Sequence, residues 1–519
     1  MDHGVDYDRY LDFDYDFVLT GDCGSGLGLD PDFDPILDRD SLLKEIFRRT
    51  RITDIAQTHQ HLRRRDLVNV AVNEILDLDV TKGVNGKELE ECIRQVLEYC
   101  VKTNKGTFRN QLYGAVDPNG LAGAWLAEAC NTSQYTYEVA PAFTLIELQI
   151  IEHVLKKFGI SDGDGIFSPG GSASILYAIT AARFKAFPQV KTKGMRNLPE
   201  MIIFTSEDSH YSVRKAAHWL GFGTDSVRLV RVNEHGQMLT DELEVAIKDE
   251  LTHGRHPLFV NATAGTTVLG AIDDLERVAD VCQKYHVWMH VDACWGGSLI
   301  LSSQHKHKLQ GIQKANSISW NPHKMAGAPL QCSLFLVREK ELLHKCNSAS
   351  AQYLFQADKF YDTSYDTGDK SVQCGRKIDA FKLWTMWKAR GDSGLSNLLD
   401  QTMKNAQFCM ETLATKAGFR LVSPKLQCPN ICFWYIPACM RGQQETDKWW
   451  ETLHKVTADI KELLMVDARL MIAYSPLRQH RNFFRLALTF HPVLRQKDIL
   501  EMLQNIEECG EIIGSRLTQ

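Results

Sequence analysis

Apolar residues recur at two different periods along this chain, and each change of period marks a change of architecture. After Asp40-Ser41, the residues Leu42, Leu43, Ile46 and Phe47 follow the i, i+3, i+4 rule of a capped amphipathic helix. Leu89, Ile93, Val96, Leu97 and Tyr99 repeat that spacing over 88–102. Short β-branched runs bounded by glycine or turn residues then alternate with helical stretches, at 201–205, 227–232, 258–263, 287–291 and 334–337. Alternation sustained over roughly 250 residues predicts a parallel α/β sheet. Beyond Trp387 the pattern turns to a long helix over 395–413, a strand over 430–436, another helix, and a strand over 482–489. That is the pattern of a smaller α+β domain closing the chain, and no internal repeat interrupts it.

The first 40 residues have neither period. Asp alternates with Tyr and Phe through Asp12, Phe13, Asp14, Tyr15 and Asp16, and a glycine patch follows at Gly24, Gly26 and Gly28. Mutual repulsion without periodicity predicts a flexible acidic tail. The glycine patch has no strand before it and no periodic helix after it, so it is not a nucleotide loop. The Asp run lacks the glycine and distal glutamate of a calcium loop. The expected division is therefore a tail over 1–40, a helical N-terminal segment over 41–110, a large domain over 111–392 and a small domain over 393–519.

Composition narrows the class without naming it. In 519 residues, 44% are hydrophobic and 24% charged, ordinary for a soluble globular protein. A net charge of −6 argues against nucleic-acid binding. No apolar run is long enough to span a bilayer, and the Asp-rich N-terminus is neither a secretory signal nor a transit peptide. The 14 cysteines are scattered without a CxxC pair, which favours reduced thiols and a cytoplasmic setting. Cys428 and Cys432 have no partner pair at zinc spacing, so no metal site is expected.

Four features carry chemistry. Gly170-Gly171-Ser172-Ala173-Ser174 precedes Tyr177, Ala178, Ala181 and Ala182 at helical spacing. Such a turn sets bare amides and hydroxyls at the positive end of a helix, a cradle for a single phosphate, although the same residues also make a plain serine-capped turn. His210 follows the 201–205 strand and is either a packed histidine or a ring stacked on a flat cofactor. Asp292 ends the apolar run 287–291, where a carboxylate must be paired, whether by a salt bridge, a helix cap or a protonated pyridine nitrogen. The following Trp295-Gly296-Gly297 permits close backbone approach. Lys324 follows Asn321-Pro322-His323 in a proline-set turn, and a lysine so placed suits a Schiff-base role once desolvated. Asn321 and His323 stand where they could add hydrogen bonds to the same phosphate. Pyridoxal 5'-phosphate meets all four demands: its aldehyde takes Lys324, its phosphate the Gly171–Ser174 turn, its ring His210, and its nitrogen Asp292.

The strings PGGSAS, SHYS, NATAGTTVLGAIDD, HVDACWGG, NPHK, YDTSYDTGDKSVQCGR and NFFR resemble the group II pyridoxal-phosphate amino-acid decarboxylases over residues 85–510. The branch that looks most similar holds glutamate, cysteine-sulfinate and aspartate decarboxylases. The resemblance implies a fold-type I architecture, with a large, mostly parallel seven-stranded sheet flanked by helices. It implies that Lys324 holds the cofactor, His210 stacks on it and Asp292 pairs with its nitrogen. Ser172, Ala173, Ser174 and Asn321 would bind phosphate, and Thr267 would lie near the ring. Arg485 would clamp the substrate α-carboxylate through its planar fork. Tyr365, in a loop over 361–375, would return a proton after carbon dioxide leaves, and that loop covers the neighbouring subunit's site in the family, implying a homodimer. Two positions depart from the pattern: Cys294 stands for the usual alanine, and Ile175 for a common asparagine.

The same resemblance bears on the substrate. Gln111, Tyr113, Ser133 and Tyr135 would line the pocket for its distal acid, Gln111 as the donor common to the branch. Tyr113 replaces the serine typical of glutamate decarboxylases, and Ser133-Gln134-Tyr135 replaces Asn-Met-Phe. A bulkier wall favours an acid one methylene shorter, cysteine sulfinate or aspartate. One methylene discriminates by only about 1–3 kcal/mol, so cross-reactivity is expected. Leu330-Gln331-Cys332, in place of the Gln-Gln-Cys frequent in insect-type aspartate decarboxylases, tips the preference toward the sulfinate. Glutamate decarboxylation, transamination and a non-catalytic binding module are the competing expectations.

Overall fold

The computed structural model describes residues 79–356 and 358–518. Among these, 79–100 form one compact unit and 101–518 another. The predicted tail and the helix expected after Asp40 lie outside the described residues. The smaller unit carries α1 (Gly86–Tyr99), which realises the 88–102 periodicity. Asn85 caps it by accepting the amides of Lys87 and Glu88, while the Glu88 side chain answers the Asn85 amide.

Within the larger unit, seven strands form one sheet. They are β2 (Asp164–Phe167), β3 (Met201–Ser206), β4 (Val227–Val230), β5 (His256–Thr263), β6 (Trp288–Asp292), β7 (Ser317–Trp320) and β8 (Leu334–Val337), in the spatial order β2-β8-β7-β6-β5-β3-β4. The pairs among β4, β3, β5, β6 and β7 are parallel, and only β8 runs against its neighbours β7 and β2. This is the mostly parallel seven-stranded sheet that was expected. β2 and β7 were not predicted because Asp164-Gly165 and the serines of Ser317-Ile318-Ser319 break the apolar run, yet all eight residues are buried. Burial on both faces removes the alternation by which strands are recognised.

α2 (Pro118–Cys130) packs on the long helix over Asp379–Thr415, while α3 (Pro141–Lys157), α4 (Gly171–Ala186), α5 (Ser212–Trp219), α6 (Thr240–Thr252) and α7 (Leu275–Tyr285) flank this sheet. Most strand-to-helix turns put the carboxyl ends of the parallel strands and the amino ends of their helices on one edge, where ligands bind in such sheets. The departure Ile175 is buried beside Ile166, Ile179 and Phe335, and so sits in the apolar core of α4.

A second sheet of five strands has the order β1-β11-β12-β10-β9, from β1 (Phe108–Arg109), β9 (Phe419–Leu421), β10 (Asn430–Tyr435), β11 (Met471–Leu477) and β12 (His480–Ala487). Its own core lies under α8 (Asp379–Thr415), α9 (Asp447–Val466) and α10 (Gln496–Leu517), through residues such as Leu413, Phe433, Leu453, Ile460, Phe484 and Ile506. β1 joins it in parallel with β11, so residues just before 111 belong to the sheet that closes the chain. α8 extends sixteen residues upstream of the predicted start and contains Gly391 at φ 64°, a break between two helical stretches. Among the described residues no helix is long and apolar enough to cross a membrane.

Candidate active site

At the carboxyl edge of the large sheet, a cleft of about 160 Å³ is lined by residues that lie far apart in sequence. Gly171 and Ser172 come from the start of α4, and His210 and Ser212 from the turn into α5. Thr263, Gly265, Thr266 and Thr267 follow β5, and Asp292, Cys294 and Trp295 end β6. Asn321 and Lys324 follow β7. The sheet thus collects the phosphate turn, the histidine, the aspartate and the lysine into one wall.

Each part has a local cause. The Gly170 carbonyl accepts the amides of Ala173 and Ser174 at 3.0 and 3.1 Å, while Gly171 and Ser172 occupy the first helical turn, where amides lack intrahelical partners. Asp292 is buried, and its Oδ1 accepts the Cys294 amide at 3.1 Å. Burial alone would raise this carboxyl, but the Lys324 ammonium, the Cys294 hydrogen bonds and His290 outweigh it and hold Asp292 below the usual carboxylate range. His210 accepts the Ser212 amide on Nδ1 at 3.3 Å, with the Ser212 hydroxyl 2.8 Å away, leaving the ring proton on Nε2. Burial, aided by Lys324 and Lys215 against the pull of Asp292, lowers the His210 pKa, so its ring is neutral. Gly296 permits the close approach expected of it, since a β-carbon there would meet the Ala264 carbonyl oxygen at 2.5 Å.

Arg485, on β12, reaches the same region from the small sheet. Its Nη1 donates to the Thr267 carbonyl at 3.0 Å and its Nη2 to the Asn110 carbonyl at 2.8 Å. Its Nε is buried without a partner, and burial lowers its pKa.

Other predicted residues stand elsewhere. Ala173 and Ser174 are not on the cleft wall, and the Ser174 hydroxyl lies 2.7 Å from that of Ser168, inside the turn. His323 is turned to the Cys332 backbone, with Nδ1 2.6 Å from its carbonyl oxygen and 3.0 Å from its amide nitrogen, so it braces the lysine loop from behind. Burial is the main cause that pushes its pKa down to about 4. Gln111 is exposed, and Tyr113 packs near Phe108 with ring centroids 6.0 Å apart. Ser133 accepts the Arg376 amide at 3.1 Å, and Tyr135 receives the Gly368 amide on its carbonyl at 2.8 Å, tying both to the 361–375 loop. Tyr365 lies in that loop, 37% exposed, with its ring 5.2 Å from that of Tyr137, and does not line the cleft of its own chain.

Sequence reasoning missed a buried pair that holds the end of this loop to α3. Arg376, at the loop's end, is fully buried against Glu147 of α3, donating through Nη1 to Oε2 at 3.1 Å and through Nη2 to Oε1. Glu147 Oε1 also accepts the Phe167 amide at 3.1 Å, next to the phosphate turn. A separation of 229 residues leaves no local signal for the pair.

Whether pyridoxal phosphate suits these residues is decided by the atoms present. At the phosphate end, a β-carbon on Gly171 would fill the corner beside Asn321 Nδ2, 3.0 Å away, a donor that a phosphate would take. At the other end, an ionised buried carboxylate needs a cationic partner. The residues fit the group: Lys324 for its aldehyde, Asp292 for its ring nitrogen, His210 for its face, and Gly171, Ser172 and Asn321 for its phosphate.

Comparison with known proteins agrees. The pyridoxal-dependent decarboxylase conserved domain matches residues 73–436. The chain is 46% identical to cysteine sulfinic acid decarboxylase of Homo sapiens over 442 residues, 85% of this chain and 89% of that one. It is 45% identical to the Mus musculus protein of the same name with the same coverage. The crystal structure of mouse CSAD in apo form superimposes with a TM-score of 0.86 at 41% identity, covering 91% of this chain and 99% of that chain. Oryza sativa TDC with PLP and tryptamine, at 20% identity and a TM-score of 0.82, shares the fold over 94% of this chain and 100% of that chain. With the cleft, its charges and these likenesses in agreement, the chain belongs to the pyridoxal-dependent decarboxylase family and is a pyridoxal-phosphate-dependent carboxy-lyase.

Proposed function

We propose that this enzyme decarboxylates cysteine sulfinate to hypotaurine, with aspartate to β-alanine as a secondary activity. The observation that carries this reading is the 46% identity to a cysteine sulfinic acid decarboxylase across 85% of the chain. Tyr113 and Ser133-Gln134-Tyr135, where glutamate decarboxylases typically carry serine and Asn-Met-Phe, point the same way.

When bound, pyridoxal phosphate supplies an electron sink for the pair left by a departing carboxyl group. Lys324 is its covalent anchor. Asp292, kept ionised, holds a proton on the ring nitrogen. His210, neutral and locked by Ser212, covers one face, while Gly171, Ser172 and Asn321 take the phosphate. Arg485 orients the substrate carboxylate, and Gln111 and Tyr113, off the cleft wall in this chain, are assigned to the distal acid by the family resemblance and by their place next to Asn110, whose carbonyl accepts from Arg485. Tyr365 delivers the proton that replaces carbon dioxide, reaching the cleft of a second subunit; that it does not line the cleft of its own chain supports a homodimer. A large domain over 111–392, a small one over 393–519 and a cytoplasmic setting complete the reading, the first boundary supported by the break at Gly391.

The test is a substrate panel on purified protein with product identification. Hypotaurine is expected as the dominant product and β-alanine as the minor one; dominant γ-aminobutyrate would overturn the pocket argument. Lys324→Ala is expected to lose the borohydride-fixed cofactor adduct and turnover together.

A further inference from the structure

Arg485 is gripped at its two outer nitrogens by carbonyls that come from very different places. The Thr267 carbonyl belongs to the loop after β5, on the cleft wall. The Asn110 carbonyl belongs to the residue just past the end of β1, outside the ladder that β1 makes with β11. Backbone hydrogen bonding in a sheet therefore does not orient that carbonyl. Its anchor is the Asn110 side chain, whose Oδ1 accepts a hydrogen bond at 2.9 Å from Nζ of Lys461. Lys461 sits on α9, in the last two turns of a helix whose adjoining face is fixed by Leu453, Val456, Ile460 and Leu464 in the small core. Its ammonium lies 5.4 Å from the centroid of the Tyr474 ring on β11. A rigid helix, one ammonium and one amide thus lead in two hydrogen bonds to the guanidinium.

We infer that Lys461 is a positioning residue for substrate binding, orienting Arg485 through Asn110 and setting the adjoining Gln111; this rests on the reading of Arg485 as the carboxylate clamp. Arg485 Nε is buried without a partner, so no bond on that side re-aims the guanidinium once the Asn110 carbonyl swings away. Lys461 is half-buried. Burial, then the nearby Arg485 charge, lower its pKa, as expected for two cations held close around one amide. Lys461 is not on the cleft wall. Its loss therefore weakens substrate capture and leaves the chemical step intact, because a bond of this kind to the ground state and the transition state alike changes KM and not kcat.

The experiment measures kcat and KM for cysteine sulfinate on the holoenzyme, together with cofactor absorbance. The variants are Lys461→Met, Lys461→Arg, Asn110→Ala, the Lys461→Met/Asn110→Ala pair and Arg485→Lys. Lys461→Met is expected to raise KM about tenfold, the usual worth of a hydrogen bond to a charged group. Its kcat stays within about twofold and its cofactor absorbance is unchanged, while Lys461→Arg, which keeps a donor, recovers the KM. Asn110→Ala matches Lys461→Met, and the pair is no worse than either, since both cut one relay. Effects that multiply in the pair overturn the relay, as does a fall in kcat with loss of cofactor, which is the mark of a structural role. A raised KM in Arg485→Lys with an unchanged KM in Lys461→Met overturns the relay alone. An unchanged KM in Arg485→Lys overturns both the clamp and the relay.

Discussion

A β-carbon on Gly171 would stand 2.6 Å from the Sγ of Cys294, with Asn321 Nδ2 at 3.0 Å. The start of α4 therefore rests against the end of β6 and the lysine loop with no room between them. The thiol is itself fixed, donating to the Ser319 hydroxyl at 3.4 Å, and burial raises its pKa above the ordinary range, so it acts as packing and not as a nucleophile.

Gly171→Ala is accordingly expected to weaken pyridoxal phosphate binding by about ten- to a hundredfold, as overpacking of a tight site does. Equilibrium dialysis of the cofactor measures this. Adding Cys294→Ala, which restores the residue usual in the family, is expected to recover part of the loss. Unaltered affinity in Gly171→Ala would remove the turn from the phosphate site.

Asp292→Asn keeps the shape of the cleft and removes the charge that favours a protonated ring nitrogen. Turnover is expected to fall by about 10²- to 10³-fold, the range for loss of one preorganised electrostatic partner. Steady-state rates at full cofactor occupancy decide it, and near-normal turnover counts against the pairing.

Tyr365→Phe is expected to slow amine formation by about 10²- to 10⁴-fold while cofactor absorbance persists, as loss of a general acid does. The crossing of subunits has its own signature. Mixing inactive Lys324→Ala and Tyr365→Phe chains under conditions that exchange subunits is expected to restore about a quarter of wild-type activity, because half the dimers would be hybrids with one intact site. Hybrids without activity would place Tyr365 in the service of its own chain.

Glu147→Gln leaves the Arg376 charge buried without its counter-ion. The expected destabilisation is about 3–5 kcal/mol, measured by chemical denaturation of the cofactor-bound protein. Because Glu147 also holds the Phe167 amide, cofactor affinity is expected to fall with it. Stability within about 1 kcal/mol of wild type would mean that the pair is dispensable.

Acid sensitivity follows from buried imidazoles. His290, whose Nδ1 is 2.8 Å from the Ser317 hydroxyl, has its pKa pushed down to about 4, chiefly by burial, against an ordinary value of 6.5. The unfolded chain takes up that proton below pH 6.5 and the folded protein only near pH 4. Stability present above pH 6.5 is therefore lost as pH falls toward 4. His323, also lowered to about 4, contributes with the same sign. Melting temperatures across that window are expected to fall, and less steeply in His290→Asn; equal slopes would exclude His290 as a source.

Much of this protein was determined by local sequence alone. The five β-branched runs became strands at or within two residues of their predicted ends, since apolar continuity between turn residues admits little else. Lys324, His210, Asp292 and the Gly171-Ser172 turn were legible because each sits where a strand ends, and parallel strands deliver such positions to one edge. Tertiary structure decided what no window of sequence contains. Strands β2 and β7 exist because neighbouring strands bury their polar residues. His323 and Ser174 face away from the cleft because backbone partners claimed their polar atoms first. The Glu147–Arg376 and Lys461–Asn110–Arg485 contacts join residues more than two hundred positions apart, and only a packed interior, where every buried charge must find a partner, selects such pairs.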